Sequence, residues 1–176
     1  MARTFTLPKK GSGNWSEGWH TLTISKAEYG EWTGTKFIDV WFKDYPENFN
    51  MRVYAKVGKG SEEFAIGSLF RFADAGITDA LESAEGETVL KIDDSAEALT
   101  DKIVNVMFYK DGKFTRILPK VAPVEFTNIV DKFESKDVAY YKTKAVDYFK
   151  KYVQPKLKGD TSAETVTEAV TDDIPF

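Results

Sequence analysis

Alternation of apolar and polar residues with a period of two, repeated over three successive runs, constrains this chain more than any other feature. Trp19 to Glu28 sets Leu22 and Ile24 on one face and Thr21, Thr23 and Ser25 on the other. Lys36 to Lys43 does the same with Ile38, Val40 and Phe42, and Asn50 to Val57 with Met51, Val53, Ala55 and Val57. Successive side chains of a strand point to opposite faces, so each run suits a half-buried strand and not a helix. Thr33-Gly34-Thr35 and Tyr45-Pro46-Glu47-Asn48 have turn chemistry, which makes the three runs an antiparallel meander.

Gly58-Lys59-Gly60 breaks this pattern. Ser61 then caps an expected helix whose first acids, Glu62 and Glu63, suit its positive end. The helix is expected to run to about Ala75, with Gly76 as its stop and Phe64, Leu69, Phe72 and Ala73 as its buried side. Residues 77–101 show no clean period, apart from a short strand at Glu87 to Ile92. Lys102 to Tyr109 and Lys113 to Leu118 read as strands joined through Asp111-Gly112, a strong hairpin signal. Residues 119–135 read as loop.

Asp137 to Gln154 is expected to be one long amphipathic helix. Val138, Tyr141, Ala145, Tyr148 and Tyr152 recur at spacings of three and four, Phe149 and Val153 widen the stripe, and Pro155 ends it. That stripe packs on the strands in the preferred reading, with a homodimer contact as the second. Three strands, a helix and a closing hairpin in this order suit an OB-fold. The expected fold is therefore mainly β: a five-stranded barrel with a helix between strands 3 and 4, followed by the long C-terminal helix.

The net charge of −4 taken alone argues against a polyanionic ligand, but it averages over unlike segments. Residues 136–158 carry seven lysines and two aspartates, whereas residues 159–176 carry five acids and no lysine or arginine. Local field governs binding, so a basic surface coexists with an acidic tether that is able to fold back on it. The expected organisation is a flexible basic arm over 1–18, the OB domain over 19–135, a Lys-rich helix over 136–158 and a disordered acidic tail over 159–176.

Strand parity sorts the candidate binding residues. With Ile38, Val40 and Phe42 inward, Phe37, Trp41 and Lys43 face out; with Met51, Val53 and Ala55 inward, Arg52, Tyr54 and Lys56 face out. The second hairpin adds Tyr109, Lys110, Lys113 and Arg116. Aromatics interleaved with cations are what a single strand requires: its bases stack and its phosphates follow the charges, with little dependence on sequence. The exposed lysines of the long helix, Lys142, Lys144, Lys150 and Lys151, read as a solvated face before a phosphate track. Trp15, Trp19 and Trp32 are either stacking or packing residues, and parity does not separate them.

Enzymatic chemistry finds little support. His20 is the only histidine and there is no cysteine, which excludes thiol dyads and Cys/His zinc sites. Asp93, Asp94, Glu97 and Asp101 read as an acidic loop rather than a Mg²⁺ site. No cofactor is expected. The chain has no apolar run long enough to span a membrane and no apolar core of signal-peptide length in Met1 to Lys10, so a cytoplasmic location is expected.

The chain ends in Asp172, Asp173, Ile174, Pro175 and Phe176. Pro175 stiffens the tip, Phe176 suits an apolar pocket, and the carboxylates suit Arg or Lys. This tip resembles that of bacterial single-stranded DNA-binding proteins. Gly18-Trp19 through Lys36-Phe37, Ile66-Gly67-Ser68-Leu69 and Ala73-Asp74-Ala75-Gly76-Ile77 resemble phage-encoded OB-fold members of that class, in which a strand pair precedes a helix ending in Ala-x-Gly. The resemblance implies a non-catalytic coat for single-stranded DNA in replication, recombination and repair. It further implies that the tip docks polymerase, helicase, nuclease or recombinase partners, often within a homodimer. The Lys-rich helix and the lack of a Gly/Gln-rich linker depart from the cellular proteins, so their tetramer is not expected. The alternatives are an OB module for protein or oligosaccharide, and a Mg²⁺-dependent nuclease subunit.

Overall fold

The period-two runs become the centre of one antiparallel sheet in the computed structural model, which describes residues 2–4, 15–56, 64–82 and 84–157. Along the chain lie β1 (Gly18–Trp32), β2 (Thr35–Phe42), β3 (Asn50–Tyr54), α1 (Ala65–Phe72), β4 (Ile77–Glu82), β5 (Thr88–Ile92) and a 3-10 turn (Ala96–Leu99). They are followed by β6 (Ile103–Asp111), β7 (Phe114–Ile117), β8 (Phe126–Thr127), β9 (Lys132–Phe133) and α2 (Ser135–Tyr148). The large sheet has the order β3-β2-β1-β6-β7, so the protein is mainly β with a C-terminal helix. Residues of the edge strands β3 and β7 come within 8 Å of each other (Cα–Cα), and no ladder joins them among the described residues.

β1 is long because it serves two partners. Its first half pairs with β6, from Gly18 opposite Phe108 to Thr23 opposite Ile103. Its second half pairs with β2, from Lys26 opposite Trp41 to Trp32 opposite Thr35. The register shifts between Ile24 and Lys26, and this bulge flips the parity of everything after it. Leu22, Ile24 and Ala27 pack with the core, whereas Lys26, Glu28, Gly30 and Trp32 share the other face with Trp41, Asp39, Phe37 and Thr35.

The main core lies on one side of the sheet, where Ile24, Ile38, Val40, Phe42, Met51 and Phe108 are almost wholly buried. α1 closes it with Ile66, Leu69, Phe70 and Phe72. Phe64, expected on the buried side, is instead half-exposed at the position preceding the helix, because the helical phase begins at Ala65. The expected cap, Ser61, lies outside the described residues. Gly76 turns the chain into β4 at φ 66°, and a side chain there would run into the Asp93 carbonyl.

The segment expected to be loop, 119–135, holds the small β8–β9 hairpin. Asp131 in this segment accepts a bidentate pair from Arg71 of α1, at 2.8 and 2.9 Å. Phe133 packs edge-on against Phe72, Phe126 and Tyr141, so the hairpin ties α1 to α2. The hydrogen bonds that Arg71 donates to Asp131 hold its pKa above the ordinary arginine value.

α2 covers half of the opposite sheet face. Ala145, Val146 and Phe149 form a second buried cluster with Met107 and Leu118, flanked by Trp19 and Tyr109. Asp137 accepts the Glu134 amide at 2.8 Å and so caps the first turn. The expected continuous helix is α-helical only to Tyr148; a π turn follows over Phe149–Val153 and a 3-10 turn over Gln154–Lys156. Pro155 removes the amide that a continuing α-helix would aim at the Lys151 carbonyl. No described helix is long and apolar enough to cross a membrane.

Candidate nucleic-acid interface

α2 leaves the second half of that face, formed by β1, β2 and β3, to be covered by its own side chains. Register sets them in rows. Lys26, Trp41 and Asn50 form one row; Glu28, Asp39 and Arg52 the next; Gly30, Phe37 and Tyr54 the third; Trp32 stands opposite Thr35 beyond them. Trp32 is 62% exposed and Tyr54 41%, so two aromatic rings stand at one end of this face.

The cations in these rows are already engaged. Arg52 grips Asp39 through two hydrogen bonds of 2.8 and 2.9 Å, and its guanidinium lies 3.7 Å from the Phe37 ring centroid. The bonds to Asp39 and then Tyr54 hold the Arg52 pKa above its ordinary value. Lys26 sits 4.5 Å from the centre of the Trp41 ring and pairs with Glu47 at 2.9 Å. Trp41 in turn donates its indole N–H to the Glu47 carbonyl at 2.8 Å.

Phe37 keeps the outward parity expected of it but is only 8% exposed. Its ring is held between Gly30, the Arg52 guanidinium and the edge of Tyr54, and it is therefore closed to a stacking base. A methyl group on Gly30 would collide with that ring. Gly30→Ala is therefore expected to destabilise the fold by about 1–3 kcal/mol, as overpacked sites do, and to loosen Arg52 with it. Urea unfolding midpoints of the variant and the parent chain measure the loss.

The remaining sequence candidates divide. Lys43 is turned away to Asp101, at 2.6 Å. Tyr109 is not an open platform: it packs 5.2 Å from Phe149 beneath α2, and burial raises its pKa. Arg116 pairs with Asp111 at 2.7 Å, Lys110 donates to Thr115 at 2.8 Å, and Lys113 stands exposed in the hairpin turn. Lys56 is exposed just past β3. Of the three unsorted tryptophans, Trp15 stacks on Phe49 at 4.4 Å and Trp19 flanks the cluster under α2, which leaves Trp32 as the exposed one. His20 stacks on Phe108 at 4.1 Å.

A groove that sequence reasoning missed begins where this face ends. Lys56, Tyr109, Asp111, Tyr148, Tyr152 and Lys156 line about 410 Å³ between the end of β3, the β6–β7 hairpin and the turns after α2. Lys120 lies over the Tyr148 ring at 5.5 Å. Burial, followed by repulsion from Lys144 and Lys56, holds the Lys120 pKa below the ordinary lysine value. Among the described residues no carboxylate pairs with Lys120 or Lys144, and the Asp111 carboxylate on the groove wall is taken by Arg116. The lysines converge only through the fold, from three separate segments, so no linear motif announces them.

Asp93 accepts the Ser95 amide and Asp101 takes Lys43; no group of three or more potential metal ligands occurs among the described residues. Asp172, Asp173, Ile174, Pro175 and Phe176 lie outside the described residues, as does most of the expected basic arm. Comparison with family models, curated proteins and solved structures gives no match.

Proposed function

We propose that this chain binds single-stranded DNA without marked sequence preference, on an OB-type barrel. The observation that carries the proposal is the exposure of Trp32 and Tyr54 on the part of the sheet that no described helix covers. Such rings offer faces to unpaired bases, whereas duplex bases are already stacked. The strand order supports the barrel: a meander, a helix after its third strand, and a closing hairpin whose last strand approaches β3. The acidic tip then supplies the docking element for replication and recombination partners, and the protein works as a coat and recruiter without catalysis.

Fluorescence anisotropy of labelled oligothymidine and a matched duplex, at two salt concentrations, tests the proposal. Binding of the single strand alone, weakened by salt through counterion release, is the expected result. Equal binding of both DNAs, or of neither, would contradict it. Failure to bind either would favour an OB module for protein or oligosaccharide, and Mg²⁺-dependent loss of the probe would favour the nuclease alternative. Deleting Ile174 to Phe176 is expected to leave oligothymidine affinity intact or raised and to abolish capture of a replication partner. Retained capture would remove the tip from the mechanism.

A further inference from the structure

The strand face alone does not account for phosphate binding, because its central cations are spent within the protein. Arg52 is neutralised by Asp39 and Lys26 by Glu47. Recruiting Arg52 to a phosphate would break a bidentate, charge-assisted pair and uncover Asp39, which is 9% exposed and itself anionic. The groove beyond β3 has the opposite character. Lys156 lines it and Lys120 lies 5.5 Å from the ring centre of its wall residue Tyr148, and neither lysine has a carboxylate partner among the described residues.

Resting on the proposed single-strand function, we infer that this groove is a second contact for single-stranded DNA, with Lys120 and Lys156 holding phosphates and Tyr148 and Tyr152 stacking on bases. The two rings lie 5.3 Å apart and Tyr152 is half-exposed. A bound phosphate would offset the repulsion that Lys144 and Lys56 exert on Lys120. Lys56 borders the groove just past Tyr54, so one strand stacked on Trp32 and Tyr54 continues into it. The π turn over Phe149–Val153 carries Tyr152 and joins the helix to the groove wall.

The test compares the full chain with its Lys120→Gln/Lys156→Gln variant, using oligothymidines of about 5 and about 16 nucleotides, near the two ends of the range for one OB domain. Neither lysine belongs to the buried core, so the variant is expected to fold, and circular dichroism checks that it does. Affinity for the longer strand should fall about tenfold, and the slope of log affinity against log salt should shrink by about 1.4, at roughly 0.7 per phosphate contact on a single strand. The shorter strand should bind as it does to the parent chain. A Lys136→Gln/Lys150→Gln variant, which removes equal charge outside the groove lining, should keep the parent slope.

An unchanged slope in the Lys120/Lys156 variant overturns the second contact and leaves the strand-face function standing. Tighter binding by that variant also overturns it, and would assign the groove to the chain's own acidic tail. Absence of oligothymidine binding by the parent chain would remove the proposed function itself, and the groove contact with it.

Discussion

Replacing Trp32 and Tyr54 together by alanine is expected to weaken oligothymidine binding by about 2–4 kcal/mol, roughly 30- to 1,000-fold, because each ring stacked on a base contributes about 1–3 kcal/mol. The accompanying loss of stability should be smaller than for Phe37, since both side chains are largely exposed, although Tyr54 also edges Phe37. Phe37→Ala provides the contrast. Phe37 is buried beneath Arg52 and against Tyr54, so its truncation leaves a cavity and is expected to cost about 3–5 kcal/mol of stability. Anisotropy titration and thermal melting of both variants separate the roles. Equal affinity of the double variant and the parent chain would remove the strand face from the mechanism.

Phe149→Ala is expected to destabilise the protein by about 3–5 kcal/mol, the usual range for a phenylalanine lost from a packed site. Phe149 is 3% exposed and lies between Met107, Leu118 and Tyr109 on the sheet and Ala145 and Val146 on α2. For a chain of this length the loss corresponds to a fall in Tm of roughly 10 °C. Hydrogen exchange should show the loss as faster opening of α2, whose contact with the sheet depends on this small cluster, while β2 and β3 keep their protection. The exposed Tyr140→Ala change on the same helix should stay within about 0.5 kcal/mol. A Phe149→Ala protein that melts with the parent would contradict the packing of α2 on β6 and β7.

Strands with one buried and one open face were legible in the sequence, because burial imposes a period of two. β2, β3, β6 and β7 fall where alternation placed them, and the Asp111-Gly112 turn joins the last pair. Of the β4–β5 hairpin only β5 was legible, as the strand at Glu87 to Ile92; β4 was not, and with Leu81 half-exposed burial imposes no period on it. The β8–β9 hairpin depends on Arg71–Asp131, a contact spanning 60 residues that no local pattern encodes. Parity identified the correct face for Phe37 but not its burial, because Arg52 folds over the ring. Parity also projected Tyr109 outward without revealing that α2 would cover that face. The Ser25 bulge explains why Trp32 was ambiguous: the register shift moves it onto the face of Phe37 and Trp41.

The four tryptophans make one optical measurement decisive. Trp15 and Trp19 are packed and Trp41 is shielded by Lys26, whereas Trp32 is open. Titration of intrinsic fluorescence with oligothymidine, using duplex DNA as control, should therefore quench the parent chain with the single strand alone. In the Trp32→Phe variant, which still stacks, most of the quenching should vanish while affinity measured by anisotropy persists. No quenching of the parent chain, or quenching that survives unchanged in Trp32→Phe, would contradict base stacking on the open face of the sheet.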